Sequence, residues 1–191
     1  MSDQVVLGYW GIRGRAQPLR HLLCFCNIPF EDKCYLSPDA YGKDMAECGI
    51  DFPNLPYLLD GDVKFSETLA IARYIVRKSG RTDLLGNTPE DEAKAHNILV
   101  TFNDLFNSVL GLFFNKKIND LKMSWFFKSK QQFTKIEKCL EGKDYAIGYL
   151  TMVDFFIAEG SFYFEILFPE EYKKFKGIHR IREKIMALPE V

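Results

Sequence analysis

The spacing of apolar residues changes near residue 80, and this change constrains the fold more than any other feature of the sequence. Before it, short β-prone runs alternate with helical repeats; after it, the periodic segments are helical. Alternating strands and helices predict a mixed α/β layer, whereas helices alone predict a helical bundle. We therefore expect an α/β domain over 1–80, a linker over 81–88 and an all-α domain over 89–191.

The first part of the chain contains a β-α-β pattern followed by a β-β-α pattern, which is a thioredoxin-like layout. The clearest local signal is Asp60-Gly61 between two β-prone runs, because Asp-Gly favours a tight hairpin turn. The predicted elements are a strand over 5–9, a helix around 19–26, a strand over 31–36, the hairpin over 56–65 and a helix over 68–78.

The second part begins with Thr88-Pro89, an N-cap hydroxyl followed by proline at the first helical position. Thr151 and Asp154 resemble a capping box ahead of an apolar run. The predicted helices run from Thr88 to about Asn115, from about Met123 to Leu140, from Thr151, and over 169–175 and 178–186.

Charge and composition exclude several classes of function. The chain has 191 residues, 47% of them hydrophobic, and a net charge of -1. This balance argues against nucleic acid or an anionic membrane as a partner, although it leaves a local basic patch open. No run of apolar residues reaches the length of a membrane span, and Met1 to Gln4 carry no basic region of a secretory signal.

The cysteines and histidines indicate a reducing compartment and no metal site. The five cysteines are odd in number and their spacing fits neither a disulfide framework nor a zinc site. The three histidines lie far apart in the sequence, and none has a helical-spaced histidine, aspartate or glutamate that would make it a convincing metal ligand. We expect a cytoplasmic protein that binds no metal.

Four segments together resemble cytosolic glutathione transferases. They are Leu7–Gly14, Asp51–Leu58, Glu67–Ile71 and Thr151–Asp154. The first two are similar to signature segments of the mu class, whereas Arg13-Gly14-Arg15 is closer to the alpha and sigma classes. The resemblance implies a thioredoxin-like N-terminal domain, an all-helical C-terminal domain, a homodimer, and transfer of glutathione, the co-substrate, to small hydrophobic electrophiles.

The resemblance assigns catalysis to Tyr9, with Arg15 in support. A free thiol has a pKa of about 8.5, so little of it is thiolate at neutral pH. A phenol that donates a hydrogen bond to the sulfur stabilises the anion, and this role falls on Tyr9. Arg15 precedes the first helix, where a guanidinium and a helix N-terminus would both favour an anion. A surface arginine without a role remains an alternative for Arg15.

The resemblance also implies the residues that hold glutathione. Leu55-Pro56 matches a cis-proline corner whose backbone pairs with the cysteinyl part of the tripeptide. Thr68 would bind the γ-glutamyl carboxylate at a helix N-terminus, and Glu67 would bind the ammonium group. The remaining contacts are assigned to Trp10, Lys43, Asn54 and, through the partner subunit's ligand, Asp104, for which a solvated helix face is the alternative.

Two further sets complete the expected sites. Trp10 and Phe114 would line the electrophile pocket. Phe52 would insert into the other subunit of the dimer, where Arg73 and Arg77 would meet their symmetry mates; two solvated arginines are the simpler account of that pair.

The chain departs from the mu class between the second strand and the cis-proline. Residues 37–50 contain no tryptophan and no arginine, and Lys43 is their only basic residue. The set of residues that would bind the glycyl carboxylate of glutathione is therefore depleted. Two alternatives to conjugation stay open: a non-catalytic ligand-binding protein, and a glutathione-dependent isomerase or peroxidase.

Overall fold

A computed structural model describes residues 4–191, with the side chain of Glu47 excepted. Residues 1–3, on which the expected absence of a secretory signal partly rests, lie outside the described residues. The chain forms two compact units, one ending at Arg81 and one running from Thr82 to Pro189. Among the helices of the described residues, none combines the length and apolarity that a bilayer-spanning segment requires.

The first unit is built on a four-stranded mixed sheet. Its strands are β1 Val5–Trp10, β2 Phe30–Tyr35, β3 Tyr57–Asp60 and β4 Val63–Ser66. They lie in the order β2-β1-β3-β4, with β1 and β2 parallel and the other neighbouring pairs antiparallel. This is the predicted thioredoxin-like layout, and the fold-class prediction for this part of the chain is confirmed.

The β3–β4 hairpin closes through a two-residue turn. Asp60 pairs with Val63, so the turn residues are Gly61 and Asp62. Gly61 has a φ of 59°, a left-handed conformation that glycine adopts at little cost. The predicted hairpin is confirmed, but its turn lies one residue later in the sequence than the Asp60-Gly61 pair alone indicates.

Two of the three helices of the first unit match the sequence pattern. They are α1 Gln17–Phe25 and α3 Thr68–Lys78. The third, α2 Pro38–Glu47, was not predicted. The Ser37 side chain accepts a hydrogen bond from the Ala40 amide, and Pro38 opens the helix. Ser37-Pro38 is the same start signal as Thr88-Pro89, but the weak apolar repeat after it gave no helical period.

His21 lies on the buried face of α1 as a neutral imidazole. Its Nε2 atom lies 2.8 Å from the side-chain nitrogen of Gln17. Burial first, and then the positive charges of Arg13 and Arg20, lower the pKa of His21 to about 4. The imidazole therefore serves packing in its neutral form, and protonation opposes the fold.

The second unit is helical, as predicted. Its helices are α4 Pro89–Phe113, α5 Ile118–Leu140, α6 Met152–Leu167, α7 Pro169–Tyr172 and α8 Lys176–Met186. Helix α6 is the most buried of them and packs against α4 and α8. Helix α5 begins at Ile118 rather than near Met123, and the Asn115 side chain accepts from the Lys117 amide in the turn just before it.

The predicted capping box at the start of α6 is confirmed. The Asp154 carboxylate accepts hydrogen bonds from the Thr151 amide at 2.8 Å, from the Thr151 hydroxyl at 3.1 Å and from the Ala146 amide at 2.7 Å. Burial raises the pKa of Asp154 to about 6 in spite of these bonds. The box therefore ties the loop before α6 to the first turn of the most buried helix.

Helices α5 and α8 cap each other. The Glu137 carboxylate of α5 accepts from the Gly177 amide at 2.6 Å and the Ile178 amide at 3.2 Å, in the first turn of α8. In return, the Arg180 guanidinium of α8 donates to the Leu140 carbonyl at 3.0 Å. Each helix thus satisfies terminal backbone groups of the other.

Candidate active site

The register of the sheet brings the three predicted glutathione-binding segments to one edge. Gly8 pairs with Tyr57 across β1 and β3, and Tyr57 pairs with Ser66 across β3 and β4. The next residue after Gly8 is Tyr9, the residue before Tyr57 is Pro56, and the residue after Ser66 is Glu67. Residues far apart in sequence therefore become neighbours at this edge.

The Tyr9 hydroxyl is held by a backbone group. Tyr9 is buried, and its oxygen accepts a hydrogen bond from the Arg15 amide at 3.2 Å. Within residues 4–191, no group accepts the hydroxyl proton of Tyr9, so this proton remains available to donate. An oxygen that accepts from an amide while donating outward suits stabilisation of an anion.

Gly14 makes the close approach to Tyr9 possible. It lies in the 3-10 turn Gly14–Ala16 with a φ of 45°. A Cβ at this position would lie 2.7 Å from the Tyr9 oxygen and 2.8 Å from a ring carbon. No pattern in the sequence predicts this packing role of Gly14, which only the fold reveals.

The Arg15 side chain is exposed, so its link to Tyr9 is the amide and not the guanidinium. The loop before it is held by another arginine. The Arg20 guanidinium donates to the Ile12 carbonyl at 3.0 Å and forms an ion pair with Asp32 at 2.9 Å. Arg20 thus fastens the loop after β1 to β2, a positioning role that its place near a helix start did not predict.

The Leu55-Pro56 peptide bond is cis, as the resemblance implied. The Leu55 amide donates to the Asn54 side-chain oxygen at 2.8 Å. The Asn54 side-chain nitrogen lies 3.4 Å from the Glu67 carboxylate. Asn54 therefore occupies the amide that a tripeptide would need and links it to the start of α3.

Glu67 and Thr68 stand at the N-terminus of α3. Glu67 is exposed and has a φ of 77°, a left-handed conformation that is uncommon for a residue other than glycine. Such strain often marks a functional position. Thr68 is the first residue of α3 and is half-buried, and the pairing of Ser66 with Tyr57 brings this helix start close to the cis-proline corner.

Trp10 packs in an aromatic cluster at the end of β1. Its ring centroid lies 5.6 Å from that of Tyr41 and 6.4 Å from that of Tyr35. The Tyr35 and Tyr57 hydroxyl oxygens are 2.6 Å apart. The sequence pattern points to Trp10 but not to the three tyrosines of this cluster, because their β-prone or helical positions give no sign of a shared contact.

Asp44 fastens α2 to this cluster. Its carboxylate accepts from the Tyr35 hydroxyl at 2.7 Å and pairs with Lys33 at 2.5 Å. Lys33 first, and then Tyr35, hold the pKa of Asp44 below its usual range. Burial first, and then the hydrogen bonds to Tyr57 and Asp44, raise the pKa of Tyr35. The helix that carries Lys43, itself exposed, is thereby anchored to the sheet.

The other predicted residues of the first unit lie on or near its surface. Phe52 is 80% exposed, and the Ser66 hydroxyl donates to its carbonyl at 2.5 Å. Arg77 is exposed on α3, one turn after the half-buried Arg73. The loop that carries Phe52 is held by the hydrogen bond from Ser66 while the Phe52 ring stays uncovered. A fixed loop with an exposed aromatic ring is typical of a contact surface.

The remaining predicted residues belong to the second unit. Asp104 is exposed on α4, and Phe114 is exposed directly after this helix, with its ring edge-on to that of Phe113 at 5.1 Å. Within residues 4–191, no cluster of three or more histidine, cysteine, aspartate or glutamate side chains is arranged to hold a metal ion.

Comparison with known proteins identifies the family. Residues 5–77 match the model of the glutathione S-transferase N-terminal domain. A glutathione S-transferase of Tyrophagus putrescentiae is 34% identical over 100% of this chain and 89% of its own length. A class-mu 26 kDa isozyme of Schistosoma japonicum is 30% identical over 97% of the chain and 85% of its own length.

A solved structure agrees with this result. The crystal structure of the glutathione S-transferase Blo t 8 superposes with a TM-score of 0.85 at 26% identity, over 97% of this chain and 88% of that one. Full-length similarity in sequence and in fold leads to one conclusion: the chain belongs to the glutathione S-transferase family.

Proposed function

We propose that the protein conjugates glutathione to small hydrophobic electrophiles, with the thiolate stabilised by the Tyr9 hydroxyl. One observation carries this assignment. The Tyr9 oxygen accepts from the Arg15 amide, its proton is available, and the sheet register brings the end of β1 beside the Leu55-Pro56 corner. The sulfur of a tripeptide that pairs with Leu55 would then meet a hydrogen-bond donor.

The strength of one such bond matches the task. Lowering a thiol pKa by about two units requires roughly 2.7 kcal/mol of preferential stabilisation of the anion. A hydrogen bond to a charged group contributes about 1.5–3 kcal/mol. The Tyr9 hydroxyl can therefore supply most of the shift, and the exposed Arg15 guanidinium can add only a screened contribution.

The first unit is proposed as the glutathione-binding domain, in which the tripeptide displaces Asn54 from the Leu55 amide. Glu67 would then receive the ammonium group and Thr68 the γ-glutamyl carboxylate. Lys43 is the one basic residue of 37–50 and would hold the glycyl end by itself. We therefore expect weaker affinity at the glycyl end than at the γ-glutamyl end.

The second unit is proposed to supply the electrophile site through Phe114. Asp104 is proposed to reach the glutathione of a partner subunit, and Phe52, Arg73 and Arg77 to form the contacts of a homodimer. The five cysteines are all free thiols, which fits the proposed cytoplasmic location.

Tyr9→Phe tests the central assignment. The ultraviolet titration of enzyme-bound glutathione is expected to show a thiol pKa higher by about 1–2 units, with retention on glutathione resin kept. Tyr74→Phe is the matched control, because it removes a hydroxyl that bonds Asp60 in the same unit, outside the candidate site. An unchanged titration in Tyr9→Phe would refute the role of Tyr9.

Substrate assays separate the alternatives. Conjugation of a generic aryl halide together with resin retention supports a transferase. Retention without turnover supports a non-catalytic ligand-binding protein. Turnover of an organic hydroperoxide or an endoperoxide, in preference to the aryl halide, supports the peroxidase or isomerase alternative.

A further inference from the structure

Positive charge is concentrated in residues 114–130, which follow α4 and include the first half of α5. This segment contains five lysines and one acid, whereas the whole chain carries a net charge of -1. The lysines are Lys116, Lys117, Lys122, Lys128 and Lys130, and the acid is Asp120. Four of the five lysines are exposed, with Lys122 intermediate. The expectation of no membrane partner rested on net charge, which left a local basic patch open.

The same segment exposes large apolar side chains. Met123 and Phe127 lie one helical turn apart on the outward face of α5, and they are 51% and 68% exposed. Phe114 and Leu121 are also exposed. Apolar side chains clustered within one basic segment differ from the scattered exposed residues of an ordinary surface, and they indicate a contact surface.

A small apolar groove adjoins this face where α4 meets α5. It has a volume of about 250 Å³, and Leu112, Leu121 and Trp125 form its apolar wall, with Lys128 also lining it. The Trp125 indole donates to the Ser108 hydroxyl at 2.7 Å, which fixes the ring between the two helices. The groove is therefore built from oriented side chains and has a cation among its lining residues.

We propose that the 114–130 segment docks on an anionic lipid membrane surface, with Phe127 and Met123 inserted among the acyl chains and the lysines facing the headgroups. Charge complementarity selects an anionic surface. The aliphatic side chains favour lipid over nucleic acid, because methionine and leucine gain little from stacking on bases but gain free energy from acyl chains. A convex helix face with outward apolar residues also suits a membrane interface better than a peptide, which would need a longer groove.

A vesicle co-sedimentation experiment with the full chain tests the proposal. Vesicles of phosphatidylcholine with about 30% phosphatidylserine are expected to bind the protein, and raised salt is expected to release it. Lys128→Gln with Lys130→Gln should lower the partition coefficient about 25-fold, at about fivefold for each lysine. Phe127→Ser should lower it about tenfold.

Two variants outside the segment control for charge and for apolar surface. Lys173→Gln with Lys174→Gln removes two exposed lysines directly after α7, and Met186→Ser removes an exposed apolar side chain from α8. Both should bind vesicles as the unchanged protein does. Circular dichroism and thermal melting establish that every variant is folded.

Four outcomes would overturn the proposal. They are no binding to the anionic vesicles, equal binding to pure phosphatidylcholine, unchanged binding of Phe127→Ser, and a loss in the control variants equal to that in the segment variants. Self-association that Phe127→Ser abolishes in the absence of vesicles would instead identify a second copy of the chain as the occupant, and binding to RNA in preference to vesicles would identify nucleic acid.

Discussion

Gly14→Ala should displace the Tyr9 hydroxyl although Tyr9 itself is not substituted. The added Cβ would lie 2.7 Å from the Tyr9 oxygen and 2.8 Å from its ring. Because carbon contacts are comfortable at about 3.5 Å, the hydroxyl must retreat by about 1 Å. A misplacement of about 1 Å can cost about a hundredfold in rate. The left-handed φ adds about 1–2 kcal/mol of backbone cost to folding.

We therefore expect Gly14→Ala to lower kcat/KM roughly 10–100-fold and to raise the pKa of bound glutathione by about one unit. The assays are steady-state conjugation of an aryl halide and ultraviolet titration of the bound thiolate. Gly11→Ala is the matched control in the same loop. Its Cβ would meet the Leu36 side chain at 2.9 Å, and Leu36 is exposed and free to turn away.

The double variant with Tyr9→Phe decides the mechanism. If Gly14 acts through the hydroxyl, Gly14→Ala should cause no further rise of the thiol pKa once the hydroxyl is absent. A folded Gly14→Ala protein with a normal thiol pKa and turnover would refute the reasoning. The same conclusion would follow if Gly11→Ala and Gly14→Ala lowered activity equally.

Three further predictions concern other parts of the chain. His21 has a folded-state pKa of about 4, below its unfolded value, so stability is lost as pH falls from about 6.5 to about 4. Urea unfolding at pH 7 and at pH 4.5 measures this loss of unfolding free energy. It should be about 2–3 kcal/mol smaller in His21→Gln than in the unchanged protein. Asp44→Asn should loosen the helix that carries Lys43 and raise KM for glutathione severalfold with kcat nearly unchanged; an equal fall in kcat would contradict an anchoring role. Phe52→Ser should shift sedimentation equilibrium towards monomer, whereas Leu36→Ser, which also removes an exposed apolar side chain, should not.

Much of the fold could be predicted because local and tertiary preferences agree. The Thr151–Asp154 box and the Thr88-Pro89 start satisfy helix ends with their own side chains, so sequence alone locates them. Helix α2 escaped prediction because its stability comes from tertiary contacts. Asp44 is held by Lys33 and Tyr35 of β2, and neither contact leaves a periodic trace in the sequence.

In the candidate site, too, some features could be predicted from the sequence and others could not. The cis bond at Leu55-Pro56 was implied by resemblance and is confirmed, whereas the roles of Tyr9 and the other site residues stay predictions. The Arg15 amide on Tyr9 and the Asn54 oxygen on the Leu55 amide could not be foreseen. In both cases a backbone amide makes the contact, and every residue except proline carries one.

This dependence on backbone groups changes how the site should be probed. Replacing Arg15 removes a guanidinium but leaves the amide that bonds Tyr9, so such a variant reports on the charge alone. The position of the amide depends on the 3-10 turn at Gly14 and on the loop that Arg20 fastens to Asp32. The geometry at the proposed sulfur site is therefore controlled by residues that need not touch the ligand.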